Sequence, residues 1–211
     1  MLREIGRAAF YAVGTVKDYN TDTDSDTLEI PSGVTHIGDF AFWGCGFRQA
    51  DSMSGATETG GIDIIIMGDM LEYIGRCAFY RFASLREVTI GGTLMIGEKA
   101  FYECPSLESV TVGSALTEIG DMAFYECPEL KSVTLPDSLT TIGNYAFYKC
   151  DALSDVSVGK GLEKVGDFAF YGDKSLSRIY IPATVAYIGN QAFRGCAALT
   201  SLTLSASVEF I

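Results

Sequence analysis

The sequence predicts a repeat solenoid built from short parallel β-strands, and three observations carry that prediction. The string Ile-Gly-x-x-Ala-Phe, with Val165 once in place of the isoleucine, recurs with its glycines at Gly75, Gly97, Gly120, Gly143, Gly166 and Gly189, spaced by 22 residues once and by 23 four times. Ahead of it lie short β-branched alternations such as Val110-Thr111-Val112, whose period of two is that of a strand with one face buried. Finally, a unit of this length cannot bury its own hydrophobic face, so the units must stack into one elongated body.

Within one unit, Val110 and Val112 are expected inward and Thr111 outward, followed by inward Leu116 and Ile119. Gly120 suits a chain reversal at positive φ. The Asp121–Tyr125 stretch then has room for one helical turn that inserts Phe124 into the core. Pro105 and Pro128, each just after a cysteine, end that turn. The next unit copies the pattern with Leu130, Val133, Leu135, Leu139, Ile142, Gly143, Ala146, Phe147 and Cys150, and earlier copies include Leu28 to Cys45 and Ile65 to Phe79. A partial copy opens at Leu2, Ile5, Gly6, Ala9 and Phe10, and Val208 to Ile211 begins another step. The reading is therefore a single domain over 1–211 of about eight repeats of 22–23 residues, starting and ending within a repeat. Insertions fall near 13–27 and 44–61.

The pattern Leu-x-x-Val-x-Leu-Pro-x-x-Leu-x-x-Ile-Gly-x-x-Ala-Phe-x-x-Cys, clearest from Leu130 to Cys150, resembles the BspA-like, or Treponema-type, class of leucine-rich repeats. The resemblance implies a leucine-rich-repeat solenoid with short parallel strands on one face and short helical turns or loops opposite. It also implies a surface or secreted bacterial protein that adheres to an extracellular host or bacterial protein. A fold of this kind transfers more securely than a partner does.

Composition narrows the partners. With 48% apolar residues the chain can bury a sizeable core, and its formal charge of −12 and pI near 4.4 disfavour nucleic-acid phosphates and anionic membrane surfaces, which require a basic stripe. A basic protein or a calcium-bridged partner fits better. No apolar run approaches the roughly 20 residues of a membrane helix, so no direct membrane insertion is expected. The N-terminus lacks a charged region followed by an apolar run, and export rests on the resemblance alone.

Five of the six cysteines, Cys45, Cys104, Cys127, Cys150 and Cys196, share one repeat position, which Phe82 and Asp173 occupy in two other units. Stacking would place successive ones about 4.8 Å apart, within disulfide range, but side chains at equivalent positions run parallel rather than toward each other. Free, buried thiols are expected. Cys77 lies at the Met122 position. With no Cys-x-x-Cys pair and one histidine, His36, zinc is not expected.

No catalytic constellation emerges. His36 sits in the Val34-x-x-Ile37 step, where Glu118 and Thr141 stand in other units, so it reads as a surface residue. Acidic residues are scattered over outward positions rather than paired. The chain is read as noncatalytic and without a cofactor. In the first insertion, Asp22, Asp24 and Asp26 alternate like the start of a calcium loop. Thr27 stands where the loop's glycine belongs and Gly33 where its glutamate belongs, so a solvated acidic loop competes with a calcium site.

Outward on the strands two ladders are predicted: Ile66, Thr89, Thr111, Thr134, Ser157, Tyr180 and Thr203, and beside them Ile64, Glu87, Ser109, Ser132, Asp155, Arg178 and Ser201. Hydroxyl residues in the middle suit a strand without any ligand. Ile64, Ile66, Arg178 and Tyr180 depart from that pattern toward residue types that make contacts, and they are the candidate binding residues of a surface expected on the strand face and the adjacent insertions. A tyrosine ladder, Tyr80, Tyr102, Tyr125, Tyr148 and Tyr171, reads as structural stacking, with a carbohydrate platform as the alternative. A spacer or stalk without a specific ligand is the rival to adhesion, and incomplete end repeats would favour end-to-end self-association.

Overall fold

A computed structural model describes residues 2–10, 27–45, 62–202, 204 and 208. Its strands, in chain order, are β1 (Glu4–Ile5), β2 (Thr27–Ile30), β3 (His36–Ile37), β4 (Ile64–Met67), β5 (Tyr73–Ile74), β6 (Glu87–Ile90), β7 (Met95–Ile96), β8 (Ser109–Val112), β9 (Glu118–Ile119), β10 (Ser132–Thr134), β11 (Thr141–Ile142), β12 (Asp155–Ser157), β13 (Lys164–Val165), β14 (Arg178–Ile179) and β15 (Tyr187–Ile188). They form two parallel sheets. Odd-numbered strands make an eight-stranded sheet in the order β1-β3-β5-β7-β9-β11-β13-β15, and even-numbered strands a seven-stranded sheet running from β14 to β2. The chain is thus a parallel β-solenoid in which each Leu-x-x-Ile step supplies a second, two-residue strand.

The core is a column. Leu107, Leu116, Ile119 and Phe124 are buried together with Val110, as their spacing predicts, whereas Val112 is only partly buried. Phe10, Phe42, Phe79, Phe101, Phe124, Phe147, Phe170 and Phe193 stack with centroids 5.0–5.4 Å apart and planes within 10° of parallel. This spacing follows from a translation of one strand separation per turn.

Two expectations about the turn are corrected. There is no helix among the described residues. In the turn after Gly97, Lys99, Phe101 and Glu103 donate their N–H groups to Asp121, Ala123 and Tyr125 of the next turn, at 2.9, 2.8 and 2.7 Å. Ala100 and Tyr102 between them donate back to Gly97 and Lys99. A helix would consume all these donors internally; here alternate ones bind along the solenoid axis. That alternation is made by left-handed residues at Lys99 (φ 56°) and Glu103 (φ 50°), and the same pair recurs as Met122 with Glu126 and as Tyr145 with Lys149.

The second correction concerns Gly120, which does not sit at positive φ; Met122, two residues later, does, at 57°. Gly120 is required by close approach instead. A Cβ there would lie 2.8 Å from the Gly97 carbonyl carbon and the Glu98 nitrogen, inside the contact distance of any side chain.

The insertion boundaries also shift. Thr27 already belongs to β2. Gly44 (φ 75°) and buried Cys45 close a regular turn, so the second insertion begins after Cys45.

Candidate binding surface

The two outward ladders lie in register on the seven-stranded sheet. Ile66 pairs with Thr89, Thr89 with Thr111, Thr111 with Thr134 and Thr134 with Ser157. Ile64, Glu87, Ser109, Ser132, Asp155 and Arg178 follow the same order. Thr203 lies outside the described residues. Side chains alternate strictly across β6, where Glu87 and Thr89 are exposed and Val88 and Ile90 buried, so this face is a continuous outward surface.

Of the predicted contact residues, Tyr180 is 64% exposed and Ile66 40%, Arg178 is exposed, and Ile64 is half-buried. They do not form one site. β4 and β14 are five strand steps apart in the sheet, roughly 24 Å at about 4.8 Å per step. Ile64 and Ile66 flank one side of a hydroxyl-rich middle, and Arg178 with Tyr180 flank the other. Arg178 lies beside Asp155 in the register, so this flank carries both an acidic and a basic residue.

A charge ladder borders this face. Arg86 Nε lies 2.8 Å from Glu108 Oε1, and Lys131 Nζ 2.5 Å from Glu108 Oε2. Lys131, and then Arg86, hold the Glu108 carboxyl below its ordinary range. With Arg86 and Lys131 exposed and Glu108 half-buried, such pairs orient side chains more than they stabilise the fold.

The tyrosine ladder forms as predicted. Tyr80, Tyr102, Tyr125, Tyr148 and Tyr171 stack at 4.7–5.1 Å within 10° of parallel. Each ring covers its neighbour's face, Trp43 stacks on Tyr80, and the Arg194 guanidinium sits 6.0 Å from the Tyr171 centroid. Sugar stacking needs an open aromatic face, which this arrangement spends on the protein itself. Desolvation and then the Glu103 hydrogen bond push the Tyr102 phenol up. An open groove of about 440 Å³ runs alongside, lined by Glu103, Pro105, Glu126, Pro128, Lys149 and Asp151, with Lys149 Nζ on Glu126 at 3.1 Å.

All six cysteines are free and buried. The thiols of Cys127, Cys150 and Cys196 donate to the carbonyls of Phe101, Phe124 and Phe170 one turn back, at 3.2, 3.2 and 3.1 Å. Spacing alone did not reveal these partners. Burial pushes the Cys104 and Cys150 thiols well up, away from nucleophilic use.

His36 is exposed on β3, its Nδ1 2.9 Å from Thr35 Oγ1. Among the described residues no three His, Cys, Asp or Glu side chains are grouped to hold a metal. Asp22, Asp24 and Asp26 lie outside the described residues. No helix among the described residues is long and apolar enough to cross a membrane.

A sequence model of the BspA type leucine-rich repeat region matches residues 94–211 as six copies. Among solved structures, a leucine-rich cell surface protein from Faecalibacterium prausnitzii is 29% identical with a TM-score of 0.68; the match covers 89% of this chain and 49% of that one. A leucine-rich repeat protein from T. pallidum is 25% identical with a TM-score of 0.74, covering 93% and 82%. A third, from Bacteroides ovatus, is 25% identical with a TM-score of 0.50, covering 99% and 60%. The chain therefore spans about half the length of the F. prausnitzii protein. No curated protein matches it.

Proposed function

Because the chain belongs to the BspA-type leucine-rich-repeat family, we propose that it is a noncatalytic protein-binding domain of a surface or secreted bacterial protein, adhering to an extracellular host or bacterial protein through its strand face. The supporting observation is the contrast along that face. A Thr and Ser middle in strict register is flanked by exposed Ile66 on one side and by exposed Arg178 and Tyr180 on the other. Aromatic and arginine side chains, with apolar area nearby, are the groups that carry contact energy at protein interfaces. A surface of this width suits an extended or convex partner touching both flanks, and the acidic chain favours a basic one.

Binding of the purified chain to immobilised matrix and plasma proteins tests this, in calcium and in chelator. We expect saturable binding that falls at least about tenfold in an Arg178→Ala/Tyr180→Ala variant with unchanged thermal unfolding, as for loss of one interface hot spot. Unchanged affinity in that variant and in Ile64→Ser/Ile66→Ser would remove this face from consideration. Loss of binding on chelation would assign calcium to the Asp22, Asp24 and Asp26 segment.

A spacer is the second reading. Its support is the continuous inter-turn bonding of both sheets and of the Ala-Phe edge, which makes a stiff rod. It predicts no saturable ligand and tolerance to removal of a whole repeat.

A further inference from the structure

At residue 173 the cysteine ladder is interrupted by the one fully buried carboxyl group among the described residues. The thiols of Cys127, Cys150 and Cys196 donate to the phenylalanine carbonyl 26 residues earlier, and the same offset assigns Asp173 to Phe147. An ionised aspartate has no proton to give there. Asp173 Oδ1 accepts the Cys150 N–H at 2.8 Å, and that same N–H also points at the Phe147 carbonyl, at 3.2 Å. Two acceptors therefore converge on one donor. Asp173 Oδ2 is buried and without a hydrogen-bond partner among the described residues.

We propose that Asp173 is a neutral carboxylic acid whose Oδ2 proton is donated to the Phe147 carbonyl in place of the missing thiol, so that the contact between these two turns depends on protonation. One proton then satisfies the orphaned oxygen and relieves the crowding of two acceptors around the Cys150 N–H. Among the described residues no cationic group acts on the carboxyl. The Cys150 and Cys196 thiols flank it in the ladder, and the nearby Asp151 carboxylate opposes a second negative charge, its Oδ2 being engaged by Lys174 Nζ at 2.7 Å. Desolvation is the leading effect on the group and pushes it up to about 9.

The direction of the pH effect follows. In the unfolded chain the group ionises at its ordinary value near 3.8, whereas in the fold it keeps its proton to about 9. Its contribution is fully present below the lower value and is lost as pH rises to the upper one, because the unfolded state gains stability by releasing the proton. Through this group the contact between these two turns is firmest in acid and loosens toward alkaline pH.

The direct test is a titration of the whole chain carrying 13C-labelled aspartate, following the Cγ resonances by NMR. We expect one aspartate to hold a protonated shift at pH 7 and to change only in the alkaline range; all aspartates titrating below pH 5 would overturn the proposal. Unfolding measured against pH supplies the second readout. The unfolding constant of the natural chain should rise against that of Asp173→Asn by up to about tenfold per pH unit between the two values, and Asp173→Cys should behave like the Asn variant. Parallel pH profiles for the natural chain and these variants would overturn it equally. If neither variant folds, the NMR titration of the natural chain decides alone.

Discussion

Along the Ala-Phe edge nearly every turn repeats the same side chains, a buried phenylalanine, a tyrosine and a cysteine, whereas along the outward strand face only the backbone register repeats and the side chains run from Ile66 through threonine to Tyr180. The difference lies in what joins one turn to the next. On the edge, rings stack on rings and thiols donate to carbonyls of the preceding turn, so a change at one position is felt by its neighbour. On the strand face the ladder bonds are made by the backbone and leave the outward side chains free to vary. Variation there costs little folding energy, and that is where a binding specificity can be written.

Substitutions can break this comparison in order of effect. Phe124→Ala removes one ring from a column in which it touches Phe101 and Phe147, and it should cost about 3–5 kcal/mol by chemical denaturation. A loss no larger than that of a surface change would mean that the stack is not what holds the turns together. Gly120→Ala drives a Cβ into the backbone of the preceding turn and should cost about 1–3 kcal/mol. Met122→Gly places glycine where the chain is left-handed. Relief of strain there is offset by lost backbone entropy, leaving a change within about 1 kcal/mol. The reverse ranking of those two variants would return the turn to the conformation expected from sequence. Thr111→Ala, exposed in the middle of the strand face, should shift stability by less than about 0.5 kcal/mol. A large effect there would show that the hydroxyl ladder itself holds the face.

Much of this was legible before any coordinates. Burial of Leu107, Leu116, Ile119 and Phe124, the free thiols and the register of the outward ladders all follow from one period, because stacking identical units puts equivalent residues one above another. The turn was not legible. The short stretch between Gly120 and Cys127 is compatible with one helical turn or with alternate donors aimed along the axis, and local propensity does not separate them. The hydrogen-bond partners that decide it, Asn144, Ala146 and Tyr148 for the N–H groups of Met122, Phe124 and Glu126, lie in the next repeat. The expectation of positive φ at Gly120 fails, and the close approach that does require glycine there is invisible within a single unit. As candidate contact residues the sequence singles out Ile64, Ile66, Arg178 and Tyr180 by departure from pattern, but their separation across the sheet needs the strand order.

The sequence by itself thus determined the period, the inward set and the family, because periodic burial is written in residue types. Only the tertiary structure decided how the backbone of each turn divides its hydrogen bonds between itself and its neighbour, and hence the paired sheets, the left-handed residues and the stranded oxygen of Asp173. Those depend on groups 22 to 26 residues apart brought within 4 Å, a proximity that no local reading of the chain contains.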